Sequence, residues 1–130
     1  MKTRILVVDD EPEICFILKE VLSGEGFEVL TAQSADEFRI LALGKIPHLI
    51  ILDINLGGSS GPEVYKELLF KGLNAATPVI FLSALVPEEL NSSCPMTHGR
   101  KYTMHAKPFS HDKLIAEIRK FTETPNAEAA

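Results

Sequence analysis

Four positions in this chain combine reactive side chains with a shared local setting. Ile5-Leu6-Val7-Val8 ends at Asp9-Asp10, Leu49-Ile50-Ile51-Leu52 ends at Asp53, and Val79-Ile80-Phe81-Leu82 ends at Ser83. Lys107 follows a weaker run from Tyr102 to Ala106. Three carboxylates brought together repel one another, and an empty cluster of that kind raises at least one carboxylate pKa. A divalent cation relieves the repulsion. Oxygen-only ligands with few protein groups suit Mg²⁺, which keeps waters and often shares a ligand with a phosphate. A carboxylate can also attack a phosphoryl group and form an aspartyl phosphate. That reaction needs Mg²⁺ and a lysine such as Lys107 for the phosphoryl charge, and a hydroxyl such as Ser83 as a hydrogen-bond donor. Each residue also has a plainer reading. Asp9, Asp10 and Glu11 could simply open a helix, where acidic residues are favoured. Asp53 and Ser83 could be turn or cap residues, and Lys107 an ordinary surface lysine.

The elements that must position these groups can be read from the pattern around them. Solid apolar runs of four suit strands covered on both faces, as in a parallel sheet. The first, third and fourth strands are such runs. Phe27 to Thr31 is a weaker second strand, and Tyr102 to Ala106 a fifth. Between them, Ile14, Ile17, Leu18, Val21 and Leu22 form one stripe of a helix over Glu13 to Leu22, with Pro12 in its first turn. Ser34 with Glu37 three residues on is a capping-box signal for a second helix, bearing Ala35, Phe38, Leu41 and Ala42 and ending at Gly44. Pro62 to Phe70 reads as a third helix with Val64, Leu68 and Leu69 inward, and Ser110 can cap a last one bearing Leu114, Ile115, Ile118 and Phe121. Over Pro87 to Arg100, Asn91-Ser92-Ser93 and Pro95 predict a short or irregular fourth helix. After Phe121 the residues are polar and read as a frayed tail or the start of a linker, giving a domain over 1–122 and a tail over 123–130. Alternating strands and helices make an α/β sheet covered on both faces, and in an open parallel sheet the strand ends bearing the candidate residues share one edge, where ligands bind.

Composition narrows the function. The 130 residues suit one domain, with 45% hydrophobic and 24% charged side chains. The net charge is −5; residues 1 to 65 carry 5 basic and 11 acidic side chains, whereas 66 to 130 carry 8 and 7. An acidic first half suits a cation and argues against direct nucleic-acid contact, which needs a basic patch. The 2 cysteines, Cys15 and Cys94, form no CxxC pair, and Cys15 in a helix beside apolar neighbours reads as a free buried thiol rather than half of a disulfide. His48, His98, His105 and His111 lack a metal-binding spacing. Gly57-Gly58-Ser59-Ser60-Gly61 lacks the Lys-Ser/Thr of a P-loop and reads as turn, and no GxGxxG follows the first strand. The N-terminal apolar run is cut short by two aspartates, so a signal peptide is not expected, and no run is long enough to span a membrane. The expected setting is cytoplasmic.

Taken together, ILVVDDEP at 5–12, LIILDINL at 49–56 with Gly61 beyond, VIFLSA at 79–84 and KPF at 107–109 resemble the receiver domains of two-component response regulators, over residues 3 to 122. The resemblance implies a flavodoxin-like, doubly wound five-stranded parallel sheet of order 2-1-3-4-5. It also implies that Asp53 is the phospho-acceptor and that Asp9 and Asp10 are the acidic metal pair, with Asp10 the more direct ligand. The backbone carbonyl of Asn55 would complete the protein's Mg²⁺ ligands, and Ser83 and Lys107 would hold the phosphoryl group. The implied donor is a phosphohistidine on a histidine kinase or histidine phosphotransfer protein, and the implied target a downstream effector or C-terminal output domain.

The chain departs from the family pattern in three places. Leu56-Gly57 stands where Met-Pro is usual, and Gly57 is expected to loosen the turn. Met104 occupies the position of the aromatic switch residue. The stretch between Ser83 and Lys107 is about two residues longer than usual. These departures keep a second reading in view, a receiver-like module that docks a protein without being phosphorylated, and leave open a homodimer through Pro87 to Tyr102. A small Mg²⁺-dependent phosphohydrolase using Asp53 is a third, disfavoured because so short a chain has little room for a substrate pocket and cap.

Overall fold

The structure is a computed structural model and describes residues 2–84 and 102–129, with side chains at 2–84 and 103–122. Five parallel strands form the central sheet: β1 (Arg4–Val8), β2 (Glu28–Ala32), β3 (Leu49–Asp53), β6 (Val79–Ser83) and β7 (Tyr102–Ala106), in the order β2-β1-β3-β6-β7. Counting only these five, the order is 2-1-3-4-5, the flavodoxin-like arrangement expected. Between β3 and the next helix lies a feature the sequence reading treats only as turn. β4 (Asn55–Leu56) and β5 (Ser59–Ser60) pair antiparallel around Gly57-Gly58. The helices are α1 (Pro12–Gly24), α2 (Ala35–Gly44), α3 (Gly61–Phe70) and α4 (His111–Ala129).

Alternation along the strands divides the core in two. Leu6, Val8, Ile50, Leu52, Val79 and Phe81 face α2 and α3, where Phe38, Ala42, Val64, Tyr65 and Leu68 cover them. Ile5, Val7, Leu49, Ile51, Ile80 and Leu82 face α1 and α4, against Cys15, Leu18, Leu22, Leu114 and Ile118. This two-sided burial is why the strands read as solid apolar runs. Met104 lies on the α2 and α3 side, partly buried.

Helix starts follow their capping chemistry. Ser34 Oγ accepts from Glu37 N at 3.1 Å, and Glu37 Oε1 reaches back to Gln33 N at 2.6 Å, one residue before the cap. Ser60 Oγ accepts from Glu63 N at 3.3 Å and opens α3.

Three expectations change. The inward face of α1 is Cys15-Leu18-Leu22, and Ile17, on the expected stripe, is 42% exposed. The buried thiol acts as an apolar residue and rotates the stripe. The Gly57 turn closes a short antiparallel hairpin, a pairing the sequence reading treats only as turn. The last helix continues to Ala129 through the residues expected as a tail, with Ala127, Glu128 and Ala129 favouring helix beyond Pro125. The irregular helix expected over 87–100, and Cys94 with it, lie outside the described residues. Cys15 is a free thiol.

Gly61 joins this framework to the reactive edge. Its N–H donates to Ile54 O at 2.8 Å, and a Cβ there would overlap the backbone carbonyl of Asp53 and lie 3.2 Å from Leu52 Cδ1. Gly61→Ala should therefore lower stability by about 1–3 kcal/mol in urea unfolding, the usual range for overpacking. Gly24→Ala, with open space around its Cβ, should be neutral or mildly stabilising in the same measurement.

Candidate functional site

All the candidate residues lie at the carboxyl edge of the sheet. Asp9 follows β1, Asp53 ends β3, Ser83 ends β6, and Lys107 follows β7. Backbone bonds carry the parallel ladder beyond the strands themselves: Asp9 N to Ala32 O at 3.0 Å, Ile54 N to Leu82 O at 3.0 Å, and Lys107 N to Ser83 O at 2.7 Å. An open pocket of about 340 Å³ sits on this edge, lined among others by Asp10, Glu11, Asp53, Asn55, Ser83 and Lys107.

The charges are concentrated on one ammonium group. Lys107 Nζ lies 2.8 Å from Asp9 Oδ2, 2.9 Å from Glu11 Oε2 and 3.1 Å from Asp53 Oδ2. Asp9 is fully buried and Asp53 nearly so, whereas Asp10 and Glu11 are exposed. Burial pushes the Asp53 carboxyl up to about 6, and the Asp9 charge adds to it, while Lys107 and the Asn55 N–H at 3.2 Å oppose the rise. Burial alone would lower the Lys107 pKa. Its contacts with Asp9 and Glu11 and the charges of Asp53 and Asp9 outweigh that, so it is held above the usual lysine value and stays protonated. Cys15 Sγ donates to Asp9 O at 3.3 Å, and burial with the nearby Asp9 charge pushes its thiol up to about 11, which keeps it neutral and unreactive.

A cation fits this donor set. Carboxylate oxygens of Asp9, Asp10, Glu11 and Asp53 all lie within 4.8 Å of one another. Asp9 Oδ1 accepts from Glu11 N at 2.9 Å. Asp9 Oδ2, also buried, is paired with Lys107 Nζ alone, at 2.8 Å. Four carboxylates against one lysine leave surplus negative charge, and a set of hard oxygen donors suits a small hard cation.

The structure brings together every residue expected at the site: Asp9, Asp10, Asp53, Asn55, Ser83 and Lys107. It adds Glu11, which the sequence reading places only at a helix start. Glu11 sits 96 positions from Lys107 in the chain, so only the DDE run itself could have signalled it.

This edge and this strand order define a flavodoxin-like α/β domain with an acidic pocket at its ligand-binding end. Residues 5–119 match the family described as the response regulator receiver domain. The phosphate regulon transcriptional regulatory protein PhoB of Rhizobium meliloti (strain 1021) is 34% identical over 119 residues, covering 92% of this chain and 52% of that protein. The alkaline phosphatase synthesis transcriptional regulatory protein PhoP of Bacillus subtilis (strain 168) is also 34% identical, over 92% of this chain and 48% of that protein. Among solved structures, NtrX from Brucella abortus in complex with ATP aligns with a TM-score of 0.82 and 32% identity, over 99% of this chain and 29% of that one. The chemotaxis protein CheY4 of Vibrio cholerae shares the fold, with a TM-score of 0.79 and 24% identity over 93% of this chain and 99% of that one. The chain belongs to the response regulator receiver domain family, whose role in two-component signal transduction is to accept a phosphoryl group. It spans about half the length of the curated relatives it matches. No helix among the described residues is long and apolar enough to cross a membrane.

The raised Asp53 pKa has a consequence for stability in metal-free buffer. A carboxyl whose folded pKa lies above its unfolded value of 3.8 supports the fold fully below that value. The support is lost as pH rises through about 6. Asp53→Asn removes the liability, so the variant should exceed wild type in urea midpoint at pH 7 to 8, with the gap closing toward pH 4. A gap that stays constant across the range would contradict this assignment.

Proposed function

We propose that this domain takes a phosphoryl group from a phosphohistidine, carried by a histidine kinase or histidine phosphotransfer protein, onto Asp53 in a Mg²⁺-dependent reaction. The observation that carries this reading is the meeting of Asp53 Oδ2 and Lys107 Nζ, 3.1 Å apart, at the rim of an acidic pocket open to solvent. An Asp53 oxygen forms the new bond to phosphorus as the phosphorus–nitrogen bond breaks, and the imidazole leaves with that electron pair. Lys107, protonated throughout, supplies positive charge to the phosphoryl oxygens. The Ser83 hydroxyl, buried at the end of β6, donates to another of them. Asp9, Asp10 and Asp53, with the backbone carbonyl of Asn55, would hold Mg²⁺, Asp10 most directly. Bound there, the ion supplies charge neutralisation between the incoming phosphoryl group and the carboxylates.

Phosphorylation replaces one negative charge on Asp53 with a larger group. Lys107 is already shared among three carboxylates, so the new charge redistributes its contacts. Ser83 and the chain beyond it move toward the phosphoryl group, shifting a pre-existing balance between two surface shapes. A downstream effector or an attached output domain reads that shift. This domain itself makes no nucleic-acid contact, and the reading implies a cytoplasmic setting. The domain assists its own phosphorylation and dephosphorylation without acting as a multiple-turnover enzyme on external substrates.

Intact mass after incubation with a small acyl-phosphate donor and Mg²⁺ tests the reading. Wild type should gain one phosphoryl group, and Asp53→Asn and metal-free samples should gain none. Lys107→Ala should slow the gain by roughly a hundredfold, the scale seen when a transition-state charge partner is removed. No gain from either the small donor or a phosphorylated histidine phosphotransfer protein would move the assignment to a docking module.

A further inference from the structure

The chain immediately after β3 holds one of the departures from the family's sequence pattern, and there the structure gives the departure a form. Leu56-Gly57-Gly58-Ser59 closes a two-residue hairpin in which Asn55 faces Ser60 and Leu56 faces Ser59. The backbone φ is +58° at Gly57 and +103° at Gly58. Two positive φ values in succession are the requirement of a tight hairpin turn, and proline, held near −65°, can take neither.

The two glycines differ in what surrounds them. A Cβ on Gly57 would lie 3.3 Å from Asp10 Oδ2 and 4.0 Å from Asp10 Cβ, whereas a Cβ on Gly58 would meet nothing within 4 Å. Turn geometry accounts for glycine at both positions. The clearance beside Asp10 belongs to Gly57 alone. Asp10 is one of the two exposed carboxylates in the acidic group, so its outer oxygen is where a cation and its water shell need space. Mg²⁺ gives up water reluctantly and keeps several waters when bound by carboxylates.

We propose that Gly57 is a positioning residue for the divalent cation, whose missing side chain leaves Asp10 free to take its ligating position and leaves room for the ion's waters. The inference rests on the reading of the acidic cluster as a Mg²⁺ site. In place of the family's proline, this chain sets a bare, sharply turned hairpin beside Asp10, and that closeness governs how well Asp10 can serve the ion.

The test is direct metal binding on the full chain, by isothermal titration with Mg²⁺ and by Mn²⁺ electron paramagnetic resonance, with thermal unfolding to confirm that each variant folds. Gly57→Ala should raise the Mg²⁺ Kd roughly threefold to tenfold, at the low end of what changes just outside a metal's ligands bring. Gly57→Asn, whose backbone tolerates positive φ, should bind more weakly than wild type despite a better-tolerated turn. Gly58→Ala, at φ +103° outside the left-handed basin, carries more backbone strain with empty surroundings and should still keep the wild-type Kd. An unchanged Kd in Gly57→Ala, or an equal loss in Gly58→Ala, overturns the proposal while leaving the metal site standing. If wild type binds no Mg²⁺, or Asp10→Asn binds it as well as wild type does, the reading of the acidic cluster fails and the proposal fails with it.

Discussion

One ammonium group governs the arrangement of this domain's reactive edge. Lys107 Nζ touches three carboxylates from two separate parts of the chain: Asp9 and Glu11 between β1 and α1, and Asp53 at the end of β3. Without it, Asp9 and Asp53 would face each other as buried like charges, a state that proteins avoid by protonation or by pairing. With it, the pairing is only partial, and burial first, then the Asp9 charge, still raise the Asp53 pKa. The residual surplus of negative charge is what the proposed cation would neutralise.

The rest of the fold makes that meeting possible. A parallel sheet brings the carboxyl ends of its strands to one edge, and helices on both faces bury the strands beneath. The core therefore supplies rigid anchors, while the chemistry sits one residue past each anchor. Gly61 tightens the arrangement from the other side, since the start of α3 passes so close to the Asp53 carbonyl that no side chain fits between them. Asp53, the hairpin and the start of α3 lie in one packed unit.

Much of this was legible from residue types alone. Solid apolar runs named the central strands, Ser34 with Glu37 named the start of α2, and the acids, serine and lysine at the run ends named the edge. The failures share a cause, which is that each depended on something outside its local pattern. Ile17 lies on a good apolar stripe, yet burial of Cys15 turned α1 away from it. Glu11 read as a helix-opening acid because its partner arrives from the far end of the sequence. The Gly57-Gly58 hairpin was hidden because its strands are two residues each, too short for alternation to show, and its role depends on Asp10 across the pocket.

The backbone bonds that run past the strand ends carry a further implication. Asp9 to Ala32, Ile54 to Leu82 and Lys107 to Ser83 make the reactive loops extra rungs of the ladder rather than free connections. Segments tied in this way open together with the sheet, as part of its cooperative unit, rather than fluctuating independently. Loosening β6 or the edge strand β7 would then blur the spacing of Ser83, Lys107 and Asp53. In this domain the geometry of the reactive edge and the integrity of the sheet would therefore be lost together, not one after the other.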